Sequence, residues 1–265
     1  MSKIKDNFFK AVVIFMTITT ITVLLGILGY IFVKGISGLN LDLFNEILPM
    51  LVTTIITIVV TLLIATPIGI FTAVFLNEYS KKGNLVSVIR FSVDVLVGIP
   101  SIVYGLFGMI LFVVNFQFGY SIIAGCLTLS IIVLPTIIKM TEEALVSVPM
   151  AYREASYGLG VGKLNTIYKI ILPSAYKGIL NGIILSIGRI VGESAAVLYT
   201  IGTVPYMPKS IFSSGETLSV YMYMQTKEGF GNGISQAFSV ALVLIILVMA
   251  INFTAYKLGS SIGRA

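Results

Sequence analysis

Long apolar runs, separated by short clusters of charge, set the pattern of this chain. No residue is charged from Ala11 to Val33, and none from Val95 to Ile138. A helix that crosses the bilayer core needs about 20 predominantly apolar residues. On that length the runs predict six spans, at about 11–33, 47–76, 87–114, 119–138, 178–201 and 234–256. The run from Val95 to Ile138 is long enough for two crossings, with a tight turn at Asn115-Phe116-Gln117-Phe118-Gly119. Two connections are long. The segment 139–177 has a helix-rich pattern. The segment 202–233 carries turn signals at 204–208 and 213–217, then an aromatic stretch, Leu218 to Met224. The pattern shows no internal repeat and no soluble domain, so the expectation is one all-α transmembrane domain over residues 1–265.

Composition agrees. The chain is 57% hydrophobic and 11% charged, against about 25% charged residues in a soluble domain. Its mean hydropathy is +1.03. It has no histidine and no tryptophan, and its one cysteine, Cys126, lies in an apolar run. An internal disulfide and a Cys/His metal site are therefore excluded, and the commonest proton-transfer residue is absent. The net charge of +6 does not point to nucleic acid, because the basic residues sit at the membrane edges.

Those residues set the expected orientation. Lys3, Lys5, Lys10, Lys81, Lys82, Lys139, Arg153, Lys163, Lys169, Lys177, Lys257 and Arg264 fall on one side, against Lys34, Lys209 and Lys227 on the other. Both termini and the 139–177 connection are thus expected in the cytoplasm. The first apolar run exceeds the roughly 7–15 residues of a signal-peptide core, so it reads as a retained span.

The cytoplasmic connection holds a motif. Glu154-Ala155-Ser156 is followed after three residues by Gly160, and nine residues later by Ile170-Ile171-Leu172-Pro173. Pro149 is tolerable in a first helical turn. Gly158 and Gly160 can stop a helix and reverse the chain, and a second short helix is expected from about 163 to 171, ending near Pro173. The glycines of Gly158-Leu159-Gly160-Val161-Gly162-Lys163 fit neither a dinucleotide fingerprint nor a Walker A loop. ATP would therefore need a site on another subunit.

Charge also stands inside an apolar run. Arg189 and Glu193 are four residues apart in the fifth predicted span, flanked by Gly188 and Gly192. Each such charge at mid-membrane costs about 2.5–3.5 kcal/mol on insertion scales. On one helix face the two would pair, and the glycines would let another backbone approach. Chemistry alone leaves two readings open. One is an anion pathway, since a guanidinium binds phosphate oxygens bidentately. The other is a helix-packing ion pair. Arg90 and Asp94 form a second i,i+4 pair at the start of the third span, read either as an anchor or as a gate lining. Pro67 and Pro100 are expected to kink their helices.

The Glu154 to Pro173 segment resembles the EAA loop of ABC-importer permeases, with Ser156 in place of the second alanine. The runs Gly188 to Gly202, Val97 to Gly108, Thr66 to Tyr79 and Thr217 to Gly229 look like phosphate-importer permeases of the PstA type. The resemblance implies a type I-like ABC-importer permease fold with a cytoplasmic coupling helix. Arg153, Glu154, Ala155, Ser156 and Gly160 would couple to the ATPase, and Arg189 and Glu193 would serve phosphate passage. It further implies a second permease of the PstC type, two PstB-type ATPase copies and an extracytoplasmic PstS-type phosphate-binding protein. ATP and magnesium would reside on the ATPase, with no cofactor on this chain. Rival readings are a permease for molybdate or sulfate, an ion-coupled carrier using Asp94 or Glu193, and a non-transporting membrane scaffold.

Overall fold

The structure, a computed structural model, describes residues 2–80, 83–228 and 233–262. Lys81, Lys82, Gly229 and Arg264 lie outside the described residues. All regular structure among the described residues is helical. Helix α1 runs Ser2–Ser37 and α2 runs Leu41–Val74, the latter continuing into a π-wound turn, Phe75–Tyr79. Next come α3 (Asn84–Gly98), α4 (Ser101–Gly108) with a π-wound end (Met109–Asn115), and α5 (Ile122–Ser147). The short α6 (Met150–Gly158) and α7 (Lys163–Thr166) follow. Through π-wound Ile167–Ile171, α7 runs on into α8 (Leu172–Gly192). The chain closes with α9 (Ala195–Thr200), α10 (Leu218–Glu228) and α11 (Gly233–Ile262).

Among the described residues, five stretches are long and apolar enough to cross a membrane: Lys5–Ser37, Leu41–Tyr79, Ile122–Ser147, Lys163–Gly192 and Gly233–Lys257. The third expected span, 87–114, is not one helix: α3 and α4 meet at a 103° bend. Pro100 explains the break. A proline disfavours the helical region for the residue before it, and Ile99 is extended at φ −74°, ψ 130°. Pro67, by contrast, lies inside the continuous α2.

The expected 139–177 loop is mostly helix. α5 extends to Ser147, which puts Lys139 on a helix, and the helix beginning at Lys163 does not end near Pro173. The π-wound turn is the reason. The Leu172 N–H reaches back to the Ile167 carbonyl. The hydrogen-bond register thus shifts one residue before Pro173, which opens a fresh α stretch where its missing N–H is harmless.

The core is the seam between α2 and α5, filled by Ile47, Met50, Ile122, Leu129, Ile132 and Val133. Small residues bring the backbones close. A Cβ on Gly69 would lie 2.6 Å from Ile137 Cγ2, and the Ser130 hydroxyl reaches the Thr61 carbonyl at 3.3 Å. Such close packing replaces the hydrophobic drive that lipid cannot supply. α1 is outermost: Tyr30 meets Phe238 edge-on at 5.4 Å, and the Ser239 hydroxyl donates to the Gly35 carbonyl.

Candidate functional site

The first candidate region is the α6 hairpin. Gly160 closes α6 in the left-handed region at φ +76°, which costs a Cβ-bearing residue about 1–2 kcal/mol. Its N–H bonds the Tyr157 carbonyl, and the Val161 N–H bonds Ser156. The chain reverses there into α7, where the Ser156 and Thr166 hydroxyls lie 2.8 Å apart.

Alternation along α6 divides the motif. Glu154 and Ala155 are exposed, whereas Arg153 and Ser156 are buried. Arg153 therefore turns into the chain. Its Nε and Nη2 donate to Glu78 Oε1 at 3.2 and 2.7 Å. Its Nη1 and Nη2 also donate to the carbonyls of Val148 and Leu145, at 2.9 and 3.0 Å. One guanidinium thus ties α6 to the last turn of α5 and to the π-wound end of α2. The Lys163 ammonium lies 4.7 Å from the Tyr79 ring centroid and makes a second tie at the start of α7. Met150, Tyr152, Leu159 and Leu164 stay exposed around Glu154.

Sequence reasoning missed Glu78. Its signal was an acidic residue closing the second apolar run, which reads locally as an interfacial charge.

The second region lies deep in the helices. Arg189 stands twelve residues beyond Lys177, the preceding charge on α8, or about 18 Å along the axis. The expected Arg189–Glu193 pair does not form. α8 ends at Gly192, and Glu193 leaves the helix in an extended conformation, φ −78°, ψ 118°. The i,i+4 geometry is lost, and Glu193 Oε1 instead accepts from the Ala196 N–H at the start of α9.

Arg189 is half-buried, and among the described residues nothing hydrogen-bonds its guanidinium. Tyr104 lies within electrostatic reach of it. A Cβ on Gly188 or Gly192 would meet nothing within 4 Å among the described residues.

The helices that follow the two breaks, α4 and α9, pack against each other. A Cβ on Gly105 of α4 would lie 2.9 Å from Ala196 Cα of α9, so only glycine permits this approach. The Tyr104 hydroxyl donates to the Leu96 carbonyl across the α3–α4 bend at 2.7 Å, supplying a donor where the helix pattern is interrupted. The Ser219 hydroxyl of α10 donates to the Glu193 carbonyl at 3.0 Å.

Arg90 and Asp94 do not pair with each other. Arg90 bridges to Glu142 at 3.1 Å and Asp94 to Lys139 at 2.6 Å, bracing α3 against α5. Both α5 partners fall where a loop was expected, which hid the alternative pairing.

Comparison with known proteins agrees with this architecture. Residues 65–259 match the family model for the binding-protein-dependent transport system inner membrane component. The chain is 34% identical to the probable ABC transporter permease protein YqgI of Bacillus subtilis, over 91% of this chain and 90% of that one. It is also 34% identical to the phosphate transport system permease protein PstA of Xylella fastidiosa, over 85% of this chain and 82% of that one. Among solved structures, a chain of a bacterial alginate ABC transporter in complex with its periplasmic protein matches at TM-score 0.73 and 16% identity. That match covers 98% of this chain and 96% of that one, and it speaks for the fold alone. This chain belongs to the family of binding-protein-dependent transport system inner membrane components, as a multi-pass permease subunit of an ABC transporter.

Proposed function

We propose that this chain is the PstA-type permease of a phosphate importer and that inorganic phosphate passes Arg189 by alternating access. The observation that carries the reading is the state of Arg189. It is half-buried and lacks a hydrogen-bond partner among the described residues. A guanidinium held this way offers a planar, bidentate fork to an oxyanion. The cost of burying it is reasonable if the anion is its intermittent partner. The name of the Xylella relative supplies the substrate class.

Glu193 has a different role from the one expected. Its carboxylate caps α9, so it maintains the helix break and leaves Arg189 unpaired. The chain itself performs no covalent chemistry, and ATP hydrolysis belongs to a separate partner subunit. Glu154 and the exposed apolar side chains of α6 form the surface for that ATPase. Arg153, Ser156 and Gly160 hold the surface in place. We assign both termini and α6 to the cytoplasm. We assign as partners a PstC-type permease, two PstB-type ATPase copies carrying ATP and magnesium, and a PstS-type phosphate-binding protein outside.

Reconstitution with these partners tests the reading. Phosphate with its binding protein should stimulate hydrolysis and accumulate in vesicles, and excess sulfate or molybdate should compete poorly. Uptake competed equally by those anions would reject phosphate as the substrate.

A further inference from the structure

At the end of the molecule opposite the α6 hairpin, a cavity of about 650 Å³ opens between the start of α2, the loop before α10, and α10. Its polar lining is Asn45, Glu46, Thr203, Glu216, Tyr221 and Gln225, with no lysine or arginine among the described residues. Glu46 already has a donor, the Tyr221 hydroxyl at 2.6 Å. Glu216 has none among the described residues, although it is only 5% exposed. Burial pushes its carboxyl up to about 7. The side chain is mostly enclosed, but its carboxylate oxygens open onto the cavity rather than into the protein, so their partners must come from whatever fills the cavity.

The chemistry of that ligand follows from the lining. Two carboxyls repel an anion. One of them already accepts from a phenol. Among the described residues, no three acidic, Cys or His side chains gather as a metal site. An ammonium or guanidinium group, which brings both donors and positive charge, satisfies the site.

Glu216 is also well placed to act on the pathway. Beside it, the Leu218 N–H bonds Thr54 Oγ1 at 3.0 Å. The Thr217 and Ser219 hydroxyls lie 3.0 Å apart, and Ser219 holds the Glu193 carbonyl. The cavity thus borders the segment that holds the end of α8.

We propose that this cavity receives a cationic side chain of the extracytoplasmic binding protein, which pairs with Glu216 on docking. The family depends on such a protein, and the proposal rests on the orientation assigned above, with α6 in the cytoplasm. The groups facing Glu216 are Glu46 from α2 and Tyr221 from α10, whose phenol burial and the neighbouring Glu46 push up, so it stays protonated near neutrality.

The test uses the assembled complex in vesicles, titrated with phosphate-loaded binding protein while ATP hydrolysis is followed. E216Q should raise the half-maximal concentration about tenfold, the loss expected for one charge-assisted hydrogen bond. E216K should abolish stimulation, and basal hydrolysis should be unchanged in both. In the unmodified complex, docking should weaken as pH falls through about 7, where Glu216 becomes neutral. In E216Q that extra weakening should be absent.

Unchanged half-maximal concentrations in both variants would overturn the proposal, as would an equal loss of basal hydrolysis. An effect that followed sodium or magnesium without binding protein would assign the site to an inorganic ion and overturn it too. If the unmodified complex is not stimulated at all, the phosphate reading fails, and not this docking site alone.

Discussion

Glu78→Ala is the sharpest perturbation of the coupling region. The Arg153 and Glu78 side chains are 10% and 6% exposed, so solvent screens little of their attraction. Removing one member of a buried pair typically costs about 3–5 kcal/mol, because the other charge stays buried. Arg153 would keep its bonds to the Val148 and Leu145 carbonyls, which favours the lower end, about 3 kcal/mol. That corresponds to roughly a hundredfold shift toward an undocked α6. Amide hydrogen exchange across Met150–Gly158 in the assembled complex should speed up by up to that factor. Transport per ATP hydrolysed should fall as well. The Lys163–Tyr79 contact should still hold the start of α7. Replacing both partners, Glu78→Gln with Arg153→Met, should recover much of the protection by removing the unpaired charge. It should not recover the transport ratio, since the tie between α2 and α6 is gone. Wild-type exchange and wild-type transport per ATP in Glu78→Ala would refute the idea that this pair joins α6 to α2.

Three further outcomes follow. Glu154→Lys reverses an exposed charge on α6 and should weaken retention of the ATPase during purification, with the permease still folded; undiminished retention would contradict the docking assignment. Gly160→Val forces a β-branched residue to φ +76° and should cost at least about 1–2 kcal/mol, read as a lower melting temperature. An unchanged melt would mean that the turn rearranges freely. Asp94→Asn breaks a bridge whose carboxylate is 64% exposed, so it should cost less than about 1 kcal/mol and leave uptake near normal. A large loss of uptake would return Asp94 to the pathway.

The sequence disclosed what depends on local composition. The apolar runs behind α1, α2 and α11 are long and continuous, and the Glu154-to-Gly160 spacing marks a helix and its left-handed stop. Features that depend on distant residues did not show. Arg90 and Asp94 looked like a pair at i,i+4, yet each finds a closer partner on α5, 52 and 45 positions along the chain. Glu78 and Arg153 are 75 positions apart, and nothing near either one signals the other. The end of α8 at Gly192 was obscured because the apolar run resumes from Ala195 to Ile201, so the segment reads as one span in spite of Arg189 and Glu193. Pro173 misled in the opposite sense, since a one-residue register shift before it let the helix continue. In each case a tertiary contact or a backbone register decided, and neither can be read from spacing alone.

The central claim is that the Arg189 guanidinium, unpaired among the described residues, passes an oxyanion. Labelled-phosphate accumulation in vesicles containing the complex with Arg189→Ala tests it most directly. The account predicts an assembled complex that still binds its ATPase and accumulates no phosphate. Accumulation at the rate of the unmodified complex would contradict it.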